Sequence, residues 1–237
     1  GFILFYSEDP RKLKQAMASK GLEELRFNFD FEGTKIIWML STYILCGGLG
    51  TRLGAKYSRL PKCLININGK PFLQWQIEYL EKQRIKNIVL CTGHLSHIIK
   101  KEIKKFNFKL NIKISDDGKK LLGTGGAIKK AMDKYKDEKF FVMYGDSYLR
   151  VDLANLQNKF INSSKKAVMT VIKNKNKWDK SNVYFEDKDT IIYNKSKVSK
   201  KFDFIDYGIL AIKSEIFNKY PKNKTFDLSS VLKNISI

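Results

Sequence analysis

Short apolar runs alternate with longer amphipathic ones along most of the chain. Residues 42–45, 86–92, 110–115, 140–144 and 167–172 are brief and rich in Ile, Leu, Val, Phe and Tyr, as buried strands are. Between them, residues 72–83, 95–105, 127–135 and 153–160 return apolar side chains at helical spacing. In the second of these, Ile98, Ile99 and Ile103 fall on one side. Strand and helix in alternation predict an α/β fold, a Rossmann-like and mostly parallel sheet with helices on both faces. Residues 182–185 and 190–193 read as a hairpin turning at 186–189, and 204–212 as a further strand. Residues 227–235 read as a terminal helix capped by Asp227.

The first 38 residues follow a different pattern. Residues 1–6 read as a strand, and Asp9-Pro10 opens a helix that runs to about Ser19 and stops at Gly21. Residues 25–31 alternate with period two, and 34–38 are apolar. A unit of this size is too small to bury a core of its own. GFILFY, DPRKLKQAM and LRFNFDFEGTKII resemble the C-terminal end of a GHMP-type heptose-phosphate kinase. The phosphate loop of such a kinase would lie upstream, so no kinase activity is carried over, and an upstream kinase domain is left open. The expected organisation is a small α+β appendage at 1–38 and a main domain at 39–237.

Composition narrows the function classes. In 237 residues, 43% hydrophobic content is enough for a sizeable core. No run approaches the ~20 apolar residues of a membrane span, so no membrane partner is expected. Cys46, Cys63 and Cys91 form no CxxC pair, which fits reduced thiols in the cytoplasm better than disulfides or structural zinc. The net charge of +21 comes from 45 Lys and Arg against 24 Asp and Glu, and most of the excess is scattered lysine. No recognition helix, RNP or zinc-finger pattern accompanies it, so nucleic acid is not the expected partner. His94 and His97 lack the further ligands of a metal site.

The chemistry concentrates at the exit of the first strand of the main domain. Cys46-Gly47-Gly48-Leu49-Gly50-Thr51-Arg52-Leu53-Gly54 is followed by Pro61-Lys62. Glycines at a strand exit let backbone N–H groups converge on an anion. Arg52 and Lys62 add fixed positive charge. A P-loop needs GxxxxGK[ST], which is absent. The glycines give only a GxGxxxG variant of the dinucleotide fingerprint, and the next strand ends Thr92-Gly93-His94 without the acid a nicotinamide ribose requires. A second glycine turn, Leu121-Leu122-Gly123-Thr124-Gly125-Gly126, feeds the helix expected from Ala127. Asp146 closes the strand 140–144 at its carboxyl end, where α/β sheets bind ligands.

GGLGTRLG followed by PKCL, then NGKPF, LGTGGA, YGD and DYG in this order, resembles the signature of the sugar-1-phosphate nucleotidylyltransferases over about 43–235. The heptose- and mannose-1-phosphate guanylyltransferase branch is the most similar. The resemblance implies the nucleotide-diphospho-sugar transferase type of fold, with an NTP (GTP) and a heptose- or hexose-1-phosphate as substrates. It implies that Gly47, Gly48, Leu49, Gly50 and Thr51 hold the nucleotide, that Arg52 and Lys62 are catalytic, and that Gly123, Thr124, Gly125 and Gly126 line the base pocket. Asp146 would hold Mg²⁺, which takes carboxylates together with substrate phosphates. Asn182, Lys195, Asp206 and Gly208 stand at the sugar-phosphate positions, with Asn194 in place of the usual acid. The family's second metal acid, in a W/Y-x-Asp/Glu-I/V-Gly-Ser/Thr motif, is expected downstream and is not found before Ile237. The expectation is therefore a C-terminally incomplete domain. A nucleotide-binding regulatory module with impaired catalysis is the alternative, and homo-oligomerisation is left open.

Overall fold

A computed structural model describes residues 8–22, 38–50, 59–187, 190–195, 201–233 and 235. The backbone divides into two compact units, Gly1–Trp38 and Met39–Ile237. In the first unit the expected helix is α1 (Pro10–Ala18). The Asp9 carboxylate accepts from the N–H groups of Arg11 and Lys12 at 3.1 and 3.2 Å, satisfying two donors that a helix start leaves open. The chain leaves α1 at Gly21, with φ +71°. The strands expected at 1–6 and 25–31 and all but Trp38 of the apolar run 34–38, and with them most of the kinase-like stretch, lie outside the described residues.

The second unit runs β1 (Ser41–Leu45), the short pair β2 (Asn66–Ile67) and β3 (Lys70–Pro71), α2 (Phe72–Lys82), β4 (Asn87–Thr92), α3 (Ser96–Ile103), β5 (Asn111–Asp116), α4 (Gly123–Tyr135), β6 (Lys139–Tyr144), α5 (Leu153–Ile161), β7 (Ala167–Lys173), β8 (Val183–Phe185), β9 (Ile191–Tyr193), β10 (Phe204–Lys213) and α6 (Leu228–Leu232). The main sheet has the order β5-β4-β1-β6-β10-β8-β9, with β7 also on β10. Strands β5, β4, β1 and β6 are parallel. β10 runs antiparallel to β6, and β7, β8 and β9 continue antiparallel. The strand–helix alternation thus gives the parallel half, and the hairpin-forming second half gives the antiparallel half.

Period-two alternation sends successive side chains of the central strands to opposite faces, and both faces are buried. Tyr43, Val89, Phe140, Val142, Leu210 and Ile212 pack with Ile128 and Ala131 of α4 and with Leu228, Val231 and Leu232 of α6. Ile44, Leu90, Phe141, Met143, Ile209 and Ala211 pack on the other face with Leu73, Ile77 and Leu80 of α2 and Leu153 and Phe160 of α5. Helices therefore cover both faces. Among the described residues, no helix is long and apolar enough to cross a membrane.

Two expectations need correction. The helix expected from Ala127 begins at Gly123, so Gly123, Gly125 and Gly126 lie in the first turn of α4 and not in a turn before it. The cause is close packing. A Cβ on Gly125 would stand 2.5 Å from Phe226 Cδ2, and the Gly125 and Gly126 N–H groups both donate to Phe226 O, at 3.0 and 3.1 Å. Bare backbone lets segment 224–227 lie directly on the helix start. Asp227 does precede α6, but its side chain makes no hydrogen bond to that helix. Leu228 N–H donates instead to Thr124 Oγ1 at 2.8 Å.

Candidate functional site

Three parallel strands end side by side, and short hydrogen bonds join their exits. Cys46 N–H donates to Cys91 O at 2.8 Å, Gly145 N–H to Leu45 O at 3.1 Å, and His94 N–H to Gly47 O at 3.3 Å. Gly145 is needed here, because a Cβ at that position would meet Leu45 O at 2.4 Å. A cavity of about 440 Å³ opens above these ends. Gly47, Gly48, Leu49 and Gly50 line it, together with Lys62 and Asp146. Gly123, Thr124 and Asp227 line it from the side of the sheet that α4 and α6 cover. Cys46 and Cys63 belong to the core on the opposite face, so Lys62 enters from that side.

Lys62 opens a one-turn 3₁₀ helix, Lys62–Leu64, whose Cys63 and Leu64 are buried. Those two side chains anchor the turn in the core and project the lysine outward. Its Nζ lies 2.6 Å from Asp146 Oδ2, with 37% and 41% of the two side chains exposed. The turn that carries Asp146 is held from below by Gln76 of α2. Gln76, with no exposed surface, donates from Nε2 to Tyr144 O at 2.9 Å and to Ser147 O at 2.8 Å. Asp117 also lines the cavity and accepts from Leu122 N–H at 2.9 Å, and burial pushes its carboxyl up.

Thr51 and Arg52 lie outside the described residues. Gly125 and Gly126 do not line the cavity, since their amides are spent on Phe226. Asn182, Asp206, Gly208 and Lys195 form a group of their own beside it. Asn182 Oδ1 accepts from Asp206 N–H at 3.0 Å, and Asp206 Oδ1 accepts from Gly208 N–H at 2.8 Å. Gly208, with φ +106°, sits where the β10–β7 register shifts between Asp206 and Leu210. Burial raises the Asp206 carboxyl to about 6, against the lowering effect of Gly208, Tyr144 and Lys195. Tyr144 lines the cavity, so its hydroxyl connects this group to it.

The profile of the nucleotidyl transferase family matches residues 41–224. The chain belongs to the nucleotidyl transferase family. It is 36% identical over 194 residues to a D-glycero-alpha-D-manno-heptose 1-phosphate guanylyltransferase of Campylobacter jejuni, covering 81% of this chain and 85% of that protein. A protein of the same description from Aneurinibacillus thermoaerophilus is 38% identical over 122 residues, 52% of this chain and 53% of its own length. Among solved structures, HddC from Yersinia pseudotuberculosis complexed with GMP-PN superposes with a TM-score of 0.64 at 30% identity, covering 81% of this chain and 84% of that one. UDP-glucose pyrophosphorylase complexed with UDP-glucose shares the fold, with a TM-score of 0.63 at 16% identity.

In this transferase, sequence reasoning missed Gln76, Asp117 and the cavity position of Asp227. Gln76 falls on the buried face of an amphipathic helix, and a polar residue there is the one sequence signal that could have marked it. Among the described residues, no cluster of three or more His, Cys, Asp or Glu side chains stands ready to hold a metal. The donor set does fit a hard divalent cation that takes one or two carboxylates and completes its shell from phosphates and water. Asp146 is half exposed at the cavity rim, and members of such families generally use a divalent metal.

Proposed function

We infer that this chain transfers a nucleoside monophosphate from an NTP, with GTP the fitting donor, to a heptose- or hexose-1-phosphate. The products are an NDP-sugar and pyrophosphate. The observation that carries this reading is the meeting of Lys62 and Asp146 at 2.6 Å on the rim of a cavity lined by Gly47–Gly50. Similarity to the Campylobacter jejuni guanylyltransferase supports the choice of substrates. We read 39–237 as the transferase unit and 1–38 as an appendage, in keeping with a family match that begins at residue 41.

In the proposed mechanism a phosphate oxygen of the sugar-1-phosphate attacks the α-phosphorus. The new P–O bond forms as the bond from the α-phosphorus to the α–β bridging oxygen breaks, and pyrophosphate carries away the electron pair. Such transfer depends on positioning and on neutralising charge. The loop backbone at Gly47–Gly50 would cradle phosphate, and the role we propose for Arg52 is to neutralise the leaving pyrophosphate. Lys62 donates to the α-phosphate oxygens as their charge grows. Asp146 would hold a divalent cation, Mg²⁺, which would supply neutralisation of phosphate charge when bound. Tyr144 and Lys195 orient the sugar phosphate.

The test is pyrophosphate release by the full chain with a panel of NTPs against mannose-, glucose- and heptose-1-phosphates in Mg²⁺. GTP with a manno-configured sugar is expected to be the best pair. Folded protein that releases pyrophosphate with no pair would overturn the reading.

A further inference from the structure

The strand ends beneath the cavity form a row, in the order β5, β4, β1, β6 and β10. Asp117 follows β5, and its N–H donates to Thr92 O of β4 at 2.8 Å. Gly93 follows β4, and a Cβ there would stand 3.4 Å from Asp117 Oδ2 and 3.2 Å from Gly47 O. The glycine loop follows β1. On the far side of β1, Asp146 follows β6, and a Cβ on Gly208 of β10 would stand 2.9 Å from Ser147 Oγ. Asp117 and Asp146 thus follow strands three places apart, about 14 Å at the usual strand spacing, so no single phosphate meets both.

Asp117 has acceptor capacity that the described chain leaves unused. Its Oδ2 accepts from Leu122 N–H at 2.9 Å. Its Oδ1 is buried and has no hydrogen-bond partner among the described residues. Lys130 Nζ donates at 3.2 Å to the main-chain carbonyl of Asp117, not to its carboxylate. A buried carboxylate oxygen without a donor is costly, and this one belongs to a residue that lines the cavity. A ligand seated there brings the missing donor.

Nucleotidyl transfer fixes the order of its parts. The α-phosphate lies between the base of the nucleotide and the sugar phosphate that attacks. With the α-phosphate at Lys62 and Asp146 and the sugar phosphate at the β10 end, the base falls on the β4–β5 side, at Asp117. An ionised carboxylate only accepts hydrogen bonds, so it favours a base edge with neighbouring donors. Guanine offers N1–H beside its 2-amino group. Adenine and cytosine set a ring-nitrogen acceptor beside their amino group, and uracil and thymine flank their N–H with carbonyls. We propose that Asp117 is a specificity-determining residue that selects guanine by accepting from its N1–H and 2-amino group. The proposal rests on the transferase reading above and adds the residue that chooses the nucleotide.

The experiment compares GTP with ITP, which lacks the 2-amino group, and with XTP, which carries a carbonyl in its place. The full chain and Asp117→Asn are both measured. KM is read from pyrophosphate release with one sugar-1-phosphate, and Kd from calorimetry without it. The wild type is expected to hold GTP about tenfold or more tighter than ITP, the scale of one hydrogen bond to a charged acceptor. Asp117→Asn keeps an oxygen for Leu122 N–H and offers the base an amide N–H, so it should lose that factor on GTP and gain on XTP. KM for the sugar phosphate is expected to stay level. Equal wild-type affinity for GTP and ITP overturns the proposal whatever becomes of the variant. So does an unchanged preference for GTP over ITP in an Asp117→Asn chain that melts like the wild type, or a rise in KM for the sugar phosphate alone. Wild type that prefers GTP to ITP in calorimetry yet releases no pyrophosphate supports guanine selection and sinks the transferase reading. Turnover indifferent to the 2-position of the purine sinks only the proposal.

Discussion

Lys62 Nζ and Asp146 Oδ2 stand 2.6 Å apart, although 84 residues separate them in the chain. One comes from a buried 3₁₀ turn and the other from the exit of β6. Both side chains are more than a third exposed, so water screens the pair and it adds little to stability. Its value lies in holding a cation donor and a carboxylate at one point of the cavity rim. On binding, a phosphate and a metal ion would each take one partner.

Lys62→Met is therefore expected to lower kcat by roughly 10²–10³-fold, the scale of losing one preorganised donor to a developing oxyanion. Its melting temperature should stay within about 2 °C of the wild type, because the pair it removes is solvent-exposed. Asp146→Asn is expected to lose the response of rate to added Mg²⁺. Pyrophosphate release against metal concentration, alongside a thermal melt, checks both.

The parallel half of the sheet was legible because each strand is a continuous apolar run and each helix between them keeps one apolar face. That the glycine loop and Asp146 stand at strand exits on one cavity was legible, because the apolar runs before them mark where strands end and α/β sheets bind ligands there. The remainder depends on contacts between residues far apart in sequence. Gly125 reads as a turn glycine until Phe226 is seen lying on it. Asp227 reads as a helix cap until Thr124, 103 residues earlier, is seen to do the capping. Asn182 and Asp206 read as ligand residues, yet each spends an oxygen on backbone N–H groups of β10.

Packing on the start of α4 yields a second prediction. A Cβ at Gly125 would stand 2.5 Å from Phe226 Cδ2 and 2.9 Å from the Asp227 carbonyl carbon. Gly125→Ala is expected to cost about 1–3 kcal/mol through overpacking. At ~2–4 °C per kcal/mol for a unit of this size, the melting temperature should drop by several degrees. Phe226→Ala in the same chain should recover part of the loss, because the backbone contact to residue 227 persists. A double-mutant cycle on thermal melts measures the coupling.

Gln76 supports the turn that carries Asp146. Gln76→Leu keeps the volume and removes both donors, leaving Tyr144 O and Ser147 O without them. Tyr144 O keeps its bond from Ser147 N–H at 3.2 Å, so the expected cost is roughly 1–3 kcal/mol for the Ser147 carbonyl that loses its donor. Because Asp146 lies between those two carbonyls, kcat is expected to fall with stability. Gln76→Ala with the same loss of stability and an unaltered kcat would separate the fold from the site and remove Gln76 from the positioning of Asp146.

Asp206 gives stability a pH dependence whose sign follows from burial. Its carboxyl is raised from 3.8 to about 6 in the folded chain. The folded state thus holds a proton that the unfolded state has released between those values. Stability linked to this group is fully present below pH ~4, falls as pH rises toward 6, and is gone above that. At about 1.4 kcal/mol per unit, the loss from this one group is on the order of 3 kcal/mol. Asp206→Asn carries no such charge and still accepts from Gly208 N–H through its amide oxygen. The stability of Asp206→Asn relative to the wild type is therefore expected to improve as pH rises from 4 to 7 and to stay level above it. Urea unfolding of both chains across that range reads the difference directly. A difference that does not change with pH would mean that Asp206 is already ionised at the low end.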